Sequence, residues 1–346
     1  MPEPSPIRPK RRGRVLRFVS GVIILCAVAA YLVVQYVTGG GGAEGCKVVS
    51  GRSDGESYEF TPEQAVNAAT IAAVGTGRGM SERAVAIALA TAIQESGLLN
   101  IEHGDRDSLG LFQQRSSQGW GTPKQILDPA YAAGMFYAHL AKVPHYETLP
   151  LTVAAQRVQR SGYPEAYAKH ETDATLLAAA LTGQAAATLT CDGRPAAATA
   201  GTGTGTGTQA ATTVTGTGTD AVRTALVRDF GRDAVEEAGA EVSGSSASSP
   251  TPTPSVTATA HGRTVTVPVP EGKKKDKSGR TESERGWQLA HWAVANSSAL
   301  HIQRVSYAGR EWAAGSTDSR WETASGTQGT GGAEKSAGSV RIVTGQ

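Results

Sequence analysis

The sequence predicts a membrane-anchored multidomain chain: one transmembrane helix, an α-rich domain, then a small α+β domain. Three observations predict this. Phe18–Val37 is a run of twenty residues without a charge. Between Thr61 and Ala187, helix signals follow one another with no clear strand among them. After a Gly/Thr-rich stretch, strand-like alternation and an amphipathic helix return together. At 346 residues, length alone suggests two domains. The net charge of +2 is too near balance to imply a nucleic-acid partner, and 42 glycines with only 5% aromatics point to low-complexity linker.

Residues 1–17 form a basic tail with Arg8, Lys10, Arg11, Arg12 and Arg14. At about 1.5 Å per residue, the run 18–37 spans a hydrocarbon core of about 30 Å. The basic cluster ahead of it predicts a single-pass protein of the cell membrane, its N-terminus cytoplasmic and its bulk extracellular. A cleaved signal peptide is the alternative; its apolar core would be shorter and end in a small-x-small site. Cys26 falls inside the run and reads as inert. Thr38–Gly45 is a Gly-rich spacer, followed by Cys46, and Cys191 lies beyond the helical region. Outside the cytoplasm thiols oxidise, so a Cys46–Cys191 disulfide is expected. It would stabilise by about 4–5 kcal/mol in the chain-entropy model. Two free thiols or an intermolecular bridge are the alternatives.

Thr61-Pro62-Glu63-Gln64 is a helix start: a Thr cap, Pro at the first helical position and Gln at the capping-box position. That helix is expected to run to about Val74 and to break at Gly75, Gly77 and Gly79. Asp128–Val143, Leu151–Gln159 and Ala174–Ala187 read as further helices. The stretch Ser81–Arg115 organises the chain. From Ala84 to Ile93 every residue but Thr91 is apolar, as in a helix buried all round. Ser81 caps it, Glu82 suits the positive end of its dipole, and Gly97 ends it. Glu95 then sits on the last turn, where the chain leaves the core. A carboxyl with apolar neighbours resists ionising, which lets a carboxylic acid serve as a general acid near neutral pH. Downstream come Ser108-Leu109-Gly110-Leu111-Phe112-Gln113-Gln114: apolar anchors, amide donors and acceptors, and a glycine that permits close approach.

Glu95-Ser96-Gly97, a variable loop and Ser108-x-Gly110-Leu111-Phe112-Gln113 resemble the signature of lytic transglycosylases of the lysozyme-like superfamily: E-S-G, then S-x-G-L-M/F-Q. Asp128-Pro129 and Gly134-x-x-Tyr137-x-x-x-Leu140 are similar to that family's D-P…G-x-x-Y-L helix. In Ala154–Tyr167, Gln159-Arg160-Ser161-Gly162 stands where the family has Y-N-x-G, a departure that touches the sugar-binding subsites. The resemblance covers 61–170. It implies an α-rich lysozyme-like domain over 46–194 that cleaves the β-1,4 bond between N-acetylmuramic acid and N-acetylglucosamine in peptidoglycan. Glu95 would be the catalytic acid. Ser96, Ser108, Gly110, Leu111, Phe112, Gln113, Gln114 and Tyr163 would bind substrate, with Gln113 and the 110–112 backbone on the N-acetyl group. The glycan strands are the expected partner, alongside the membrane through 18–37; protein partners stay open.

The polar loop between the two blocks carries Glu102, His103, Asp105 and Asp107. It lacks any recognised metal-ligand spacing and reads as solvated or ion-paired. A hydrolytic lysozyme needs a second carboxylate about 5–9 Å from the acid, and Asp105 or Asp107 is the candidate. The resemblance implies no such need, because in lytic transglycosylases the substrate's C6 hydroxyl is the nucleophile.

Residues 195–219 are a Gly/Thr/Ala linker. In 220–346, Ala221–Phe230 and Glu284–Leu300 read as helices, and Arg263–Val269, Arg304–Tyr307 and Val340–Val343 as strands. Phe230-Gly231-Arg232, His261-Gly262-Arg263-Thr264-Val265-Thr266, the helix with Trp287 and Trp292, and Ser339-Val340-Arg341 resemble zinc peptidases of the D-Ala-D-Ala-cleaving, hedgehog-like type. Thr266 stands where that family has a ligand Asp, and Gly338-Ser339-Val340-Arg341 where it has D-H-V-H. The resemblance therefore implies a peptidase fold without its metal. Trp287, Trp292, Trp312 and Trp321 are expected in a core. No cofactor and no metal are expected. The reading from another class is a non-catalytic cell-wall-binding or scaffolding protein with two decayed enzyme folds.

Overall fold

The computed structural model describes residues 45–52, 54–163, 165–193, 218–231, 263–269, 279–315, 320–324 and 338–345. The run 18–37, the linker up to residue 217, and His261 lie outside them. Glu44–Gln346 forms one compact unit.

Two parts of the expected fold class are corrected. Among the described residues no helix is long and apolar enough to cross a membrane, so the membrane-spanning character expected of the fold finds no support there. The α-rich region also contains strands. β1 (Cys46–Val49) pairs antiparallel with β2 (Ser57–Phe60) and with β5 (Leu189–Cys191). Each strand is three or four residues long, too short for alternation to register in a sequence window. The pairing also joins chain ends that sequence leaves far apart. Cys46 faces Cys191 across β1 and β5, and the two are bonded as a disulfide.

The helices start where capping chemistry places them. Thr61 accepts from the Gln64 amide while the Gln64 side chain accepts from Thr61, a closed capping box that opens α1 (Pro62–Gly77). α1 runs past Val74 because Gly75 has a packing use there. A Cβ at Gly75 would meet the Tyr137 ring at 2.6 Å, and the Tyr137 hydroxyl donates to Ile71 O at 3.0 Å. α2 (Glu82–Ser96) follows, then a small hairpin of β3 (Ser108–Leu109) and β4 (Gln114–Arg115). α3 (Pro123–Ile126), α4 (Pro129–Leu140), α5 (Leu151–Gln159) and α6 (Glu171–Leu181) complete the helical layer. α2 is the central element, packed by α1, α4, α5 and α6.

The C-terminal residues share this core. α7 (Thr219–Phe230) and α8 (Glu282–Ala295) lie against α1, and α8 also meets α6 and β5. After the short α9 (Ser297–Leu300), four strands join an earlier one, which precedes α8, in a five-stranded antiparallel sheet. It runs β6 (Thr264–Pro268), β10 (Ser339–Thr344), β7 (Ile302–Tyr307), β8 (Arg310–Ala313) and β9 (Glu322–Thr323). Alternation, strict in β6 and β10, buries Val265, Val267, Val305, Ile342 and Trp312 on the face toward α7 and α8 and turns Thr266, Arg304 and Arg341 outward.

The joint is made by directed hydrogen bonds as well as apolar area. Gln288 Nε2 donates to Thr76 Oγ1 at 2.6 Å. The Trp312 indole donates to Cys191 O at 3.1 Å, and the Trp321 indole to Leu189 O at 2.9 Å. Trp292 Nε1 donates to Asp229 Oδ2 at 2.8 Å, and Thr70 Oγ1 donates to Asp229 Oδ1 at 3.2 Å. All four C-terminal tryptophans are buried. Gly183 sits in the left-handed region at φ +83°, and a Cβ there would overlap the Glu284 carbonyl oxygen. Only glycine lets the end of α6 and the start of α8 approach this closely.

Candidate functional site

The site is built on the exit of α2. Ser81 caps the helix by accepting from the Ala84 amide, and every residue from Ala84 to Ile93 is buried. Gly97, at φ 64°, ends it: the Gly97 amide donates to Ile93 O and the Leu98 amide to Ala92 O. Glu95 therefore emerges on the last turn, half-buried, from a helix that packing holds on all sides. Its carboxyl has a specific partner: the Tyr167 hydroxyl donates to Glu95 Oε1 at 2.7 Å. Tyr167 is itself fully buried. Burial, and then the neighbouring Glu95 carboxyl, push its phenol well above the ordinary range, so it remains a donor across the physiological pH scale.

The second motif lies against the first. The Ser96 hydroxyl is 2.8 Å from Leu111 O and 3.1 Å from Ala92 O. Leu111 and Phe112 are completely buried, and the Phe112 ring stacks on Phe136 with centroids 4.8 Å apart. Gly110 has φ 73°, and a Cβ there would meet Ile126 O at 2.6 Å, so both conformation and space demand glycine. Gln113 also adopts a left-handed conformation, at φ 48°. Its side-chain amide turns back onto its own loop, 3.3 Å from Gly110 O and 3.5 Å from His103 O. Gln114 is buried and donates to Ala132 O at 3.0 Å, tying the hairpin to α4. Ser108 is buried in β3, opposite Arg115.

Of the residues expected at the site, Ser96 meets the Leu111–Phe112 segment directly, and Glu95 is its neighbour on the last turn of α2. Gln114 and Ser108 lie in the scaffold beneath, and Tyr163 is 78% exposed at the surface. Sequence reasoning missed Tyr167, four residues beyond Tyr163. It also saw Gln159 only as a departure from a motif, whereas Gln159 Nε2 donates to Phe112 O at 2.8 Å.

Of the two aspartates in the acidic loop, one is committed to several donors and the other is exposed. Asp107 accepts from the Ser117 amide at 2.9 Å, from Arg115 Nε at 2.6 Å and from the Ser117 hydroxyl at 3.0 Å. These donors, the Ser117 amide first, hold it well below the usual carboxylate range. Asp105 is almost fully exposed, 3.9 Å from Arg106. Among the described residues no three His, Cys, Asp or Glu side chains cluster in a way that could hold a metal ion. At the positions compared with zinc ligands, Thr266 and Arg341 are cross-strand neighbours on the outward face of the sheet.

A half-buried carboxyl with a fixed hydrogen-bond donor, beside a glycine-containing wall pinned by its own neighbour, is an arrangement suited to moving a proton at a bound polar substrate. Set against known proteins, the chain matches no family model and no curated protein.

Proposed function

We propose that this chain cleaves the β-1,4 bond between N-acetylmuramic acid and N-acetylglucosamine in peptidoglycan, as a lytic transglycosylase-like enzyme with Glu95 as its acid and base. The observation that carries the reading is the Tyr167–Glu95 hydrogen bond at the end of a buried helix, next to the Ser96–Leu111 contact. Glu95 protonates the leaving glycosidic oxygen. It then takes the proton of the substrate's C6 hydroxyl as that oxygen attacks the anomeric carbon, which closes a 1,6-anhydro ring. Asp107 is committed to Arg115 and Ser117, which supports a route that does not call on it as the second carboxylate a hydrolase needs. The Cys46–Cys191 disulfide favours an oxidising, extracellular location, where the polymer is found.

Glu95→Gln keeps size and hydrogen-bonding reach but cannot deliver the proton. Muropeptide release from purified peptidoglycan is expected to fall by about 10²–10⁴-fold, with the thermal transition within a few degrees. Mass spectrometry of wild-type products should find the anhydro form, lighter by one water than the hydrolysed form. Reducing-end products, with Asp107→Asn as damaging as Glu95→Gln, would make the protein a hydrolytic muramidase. No release under conditions where a muramidase works would leave the wall-binding scaffold in its place.

A further inference from the structure

The segment that Ser96, the neighbour of Glu95, ties to the end of α2 is pinned at three successive carbonyls, and one of the pins comes from a distant helix. Gly110 O accepts from the Gln113 amide at 3.3 Å. Leu111 O is held by Ser96, the neighbour of Glu95. Phe112 O accepts from Gln159 on the last turn of α5, 47 residues away in sequence. The donor is itself firmly based. α5 ends at Arg160 in a left-handed conformation, φ 53°, and Gln156 Nε2 closes that turn onto Ser161 O at 2.7 Å. The acceptor is equally fixed, because the Phe112 ring is locked on Phe136. The next residue is Gln113, a non-glycine at φ 48°. Such a conformation persists only where its surroundings over-determine it.

We propose that Gln159 is a positioning residue: by donating to the Phe112 carbonyl it holds Gln113 in its left-handed turn and so fixes the segment tied to the neighbour of Glu95. This rests on the reading of Glu95 as the acid. It gives a physical role to the very position where the chain departs from the Y-N-x-G pattern. A side-chain amide of this reach spans the gap from α5 to the hairpin. A leucine of similar size would leave Phe112 O without that donor.

The test compares the full chain with Gln159→Leu and with Gln159→Lys, which keeps a donor of similar reach. Two readouts are needed: hydrogen exchange of the peptide spanning 109–115, and kcat and KM on soluble glycan strands. For Gln159→Leu, exchange in 109–115 is expected to rise about tenfold and kcat to fall about tenfold, while KM moves less than about threefold. Gln159→Lys should recover most of both effects. Unchanged exchange in Gln159→Leu would overturn the pin. Faster exchange with unchanged kcat would make the bond merely structural, and a lysine variant no better than leucine would remove donation as the cause. An inactive wild type would instead bring down the reading of Glu95, and the positioning role with it.

Discussion

Two buried helices, α2 and α8, handle polar groups in opposite ways. α2 is apolar from Ala84 to Ile93 but for Thr91, and Glu95 appears on its last turn, half open to solvent. α8 carries its polar groups into the core: Gln288, His291 and the Trp292 indole are all buried, and each is bonded to another part of the chain. A buried polar group with every partner in place holds elements in one arrangement. A polar group at a helix exit, held by a single donor, stays available for chemistry. The difference teaches that the C-terminal residues form a joint to the helical layer, whereas the exit of α2 leaves a carboxyl open to solvent, where the proposed chemistry would need it.

The strongest way to break that contrast is to remove the joint's buried carboxylate. Asp229 is fully buried and accepts from Thr70, from Trp292 and twice from Arg228, at 2.7 and 3.0 Å. Asp229→Ala strands an indole donor and an arginine, so a loss of about 3–5 kcal/mol is expected. Chemical denaturation of the full chain measures it. The unfolding should remain a single transition if 44–346 is one cooperative unit. Two separate transitions, or a loss under about 1 kcal/mol, would reduce α7 and α8 to a loosely attached appendage.

A smaller effect comes from His291, and its sign is fixed by the hydrogen bonds. The ring is completely buried: Nδ1 donates to Ala180 O at 2.8 Å, and Nε2 accepts from the Thr188 amide at 3.3 Å. Its aromatic neighbours are Trp287 and Trp321, and among the described residues no charged group acts on it. Burial lowers its pKa to about 4 from an ordinary 6.5. Between those values the unfolded chain binds the proton and the native one does not. The stability contribution is therefore complete above about pH 6.5 and is lost as pH falls toward 4. The total is about 3 kcal/mol, of which most is gone by pH 4.5. Glu82 acts in the opposite direction, since burial and then Glu284 raise it, but that contribution is common to wild type and variant. The difference in stability between pH 7 and pH 4.5 should shrink by about 2–3 kcal/mol in His291→Gln. Parallel pH profiles would show that the imidazole does not titrate with folding.

These two regions also differ in how far the sequence revealed them. The limits of α2 are written locally, in Ser81, Gly97 and the apolar run between them, and so is the capping box at Thr61. The bond from Ser96 to Leu111 O that joins the two motif blocks was not legible, although both blocks were singled out. The joint was not legible. Trp287, Trp292, Trp312 and Trp321 announce a core, yet nothing local says that two of their indoles bond the carbonyls of Cys191 and Leu189. The strands β1 and β5 were hidden because each is stabilised by a partner at the far end of the helical region. Tyr163 lies in irregular backbone and Tyr167 in the turn before a 3₁₀ helix, where neither a period of 2 nor one of 3.6 fixes which ring faces inward.

Tyr167 gives the smallest expected effect on stability and the sharpest test of the contrast, because it is a buried polar group that serves the exit of α2. Its ring fills core space, and its hydroxyl makes the 2.7 Å bond to Glu95. Tyr167→Phe keeps the ring and removes the donor. Glu95 is half open, so water can replace the lost bond, and stability should change by less than about 1.5 kcal/mol. The effect on catalysis is different in kind. On the proposed reading the phenol holds the carboxyl toward the scissile oxygen, and without it the carboxyl is free to turn away. We expect kcat to fall about tenfold with KM little changed, the pattern of an interaction that matters in the transition state. If instead Tyr167→Phe melts far below wild type while the surviving folded protein turns over normally, the hydroxyl belongs with the polar groups of α8, as a joint and not as part of the site.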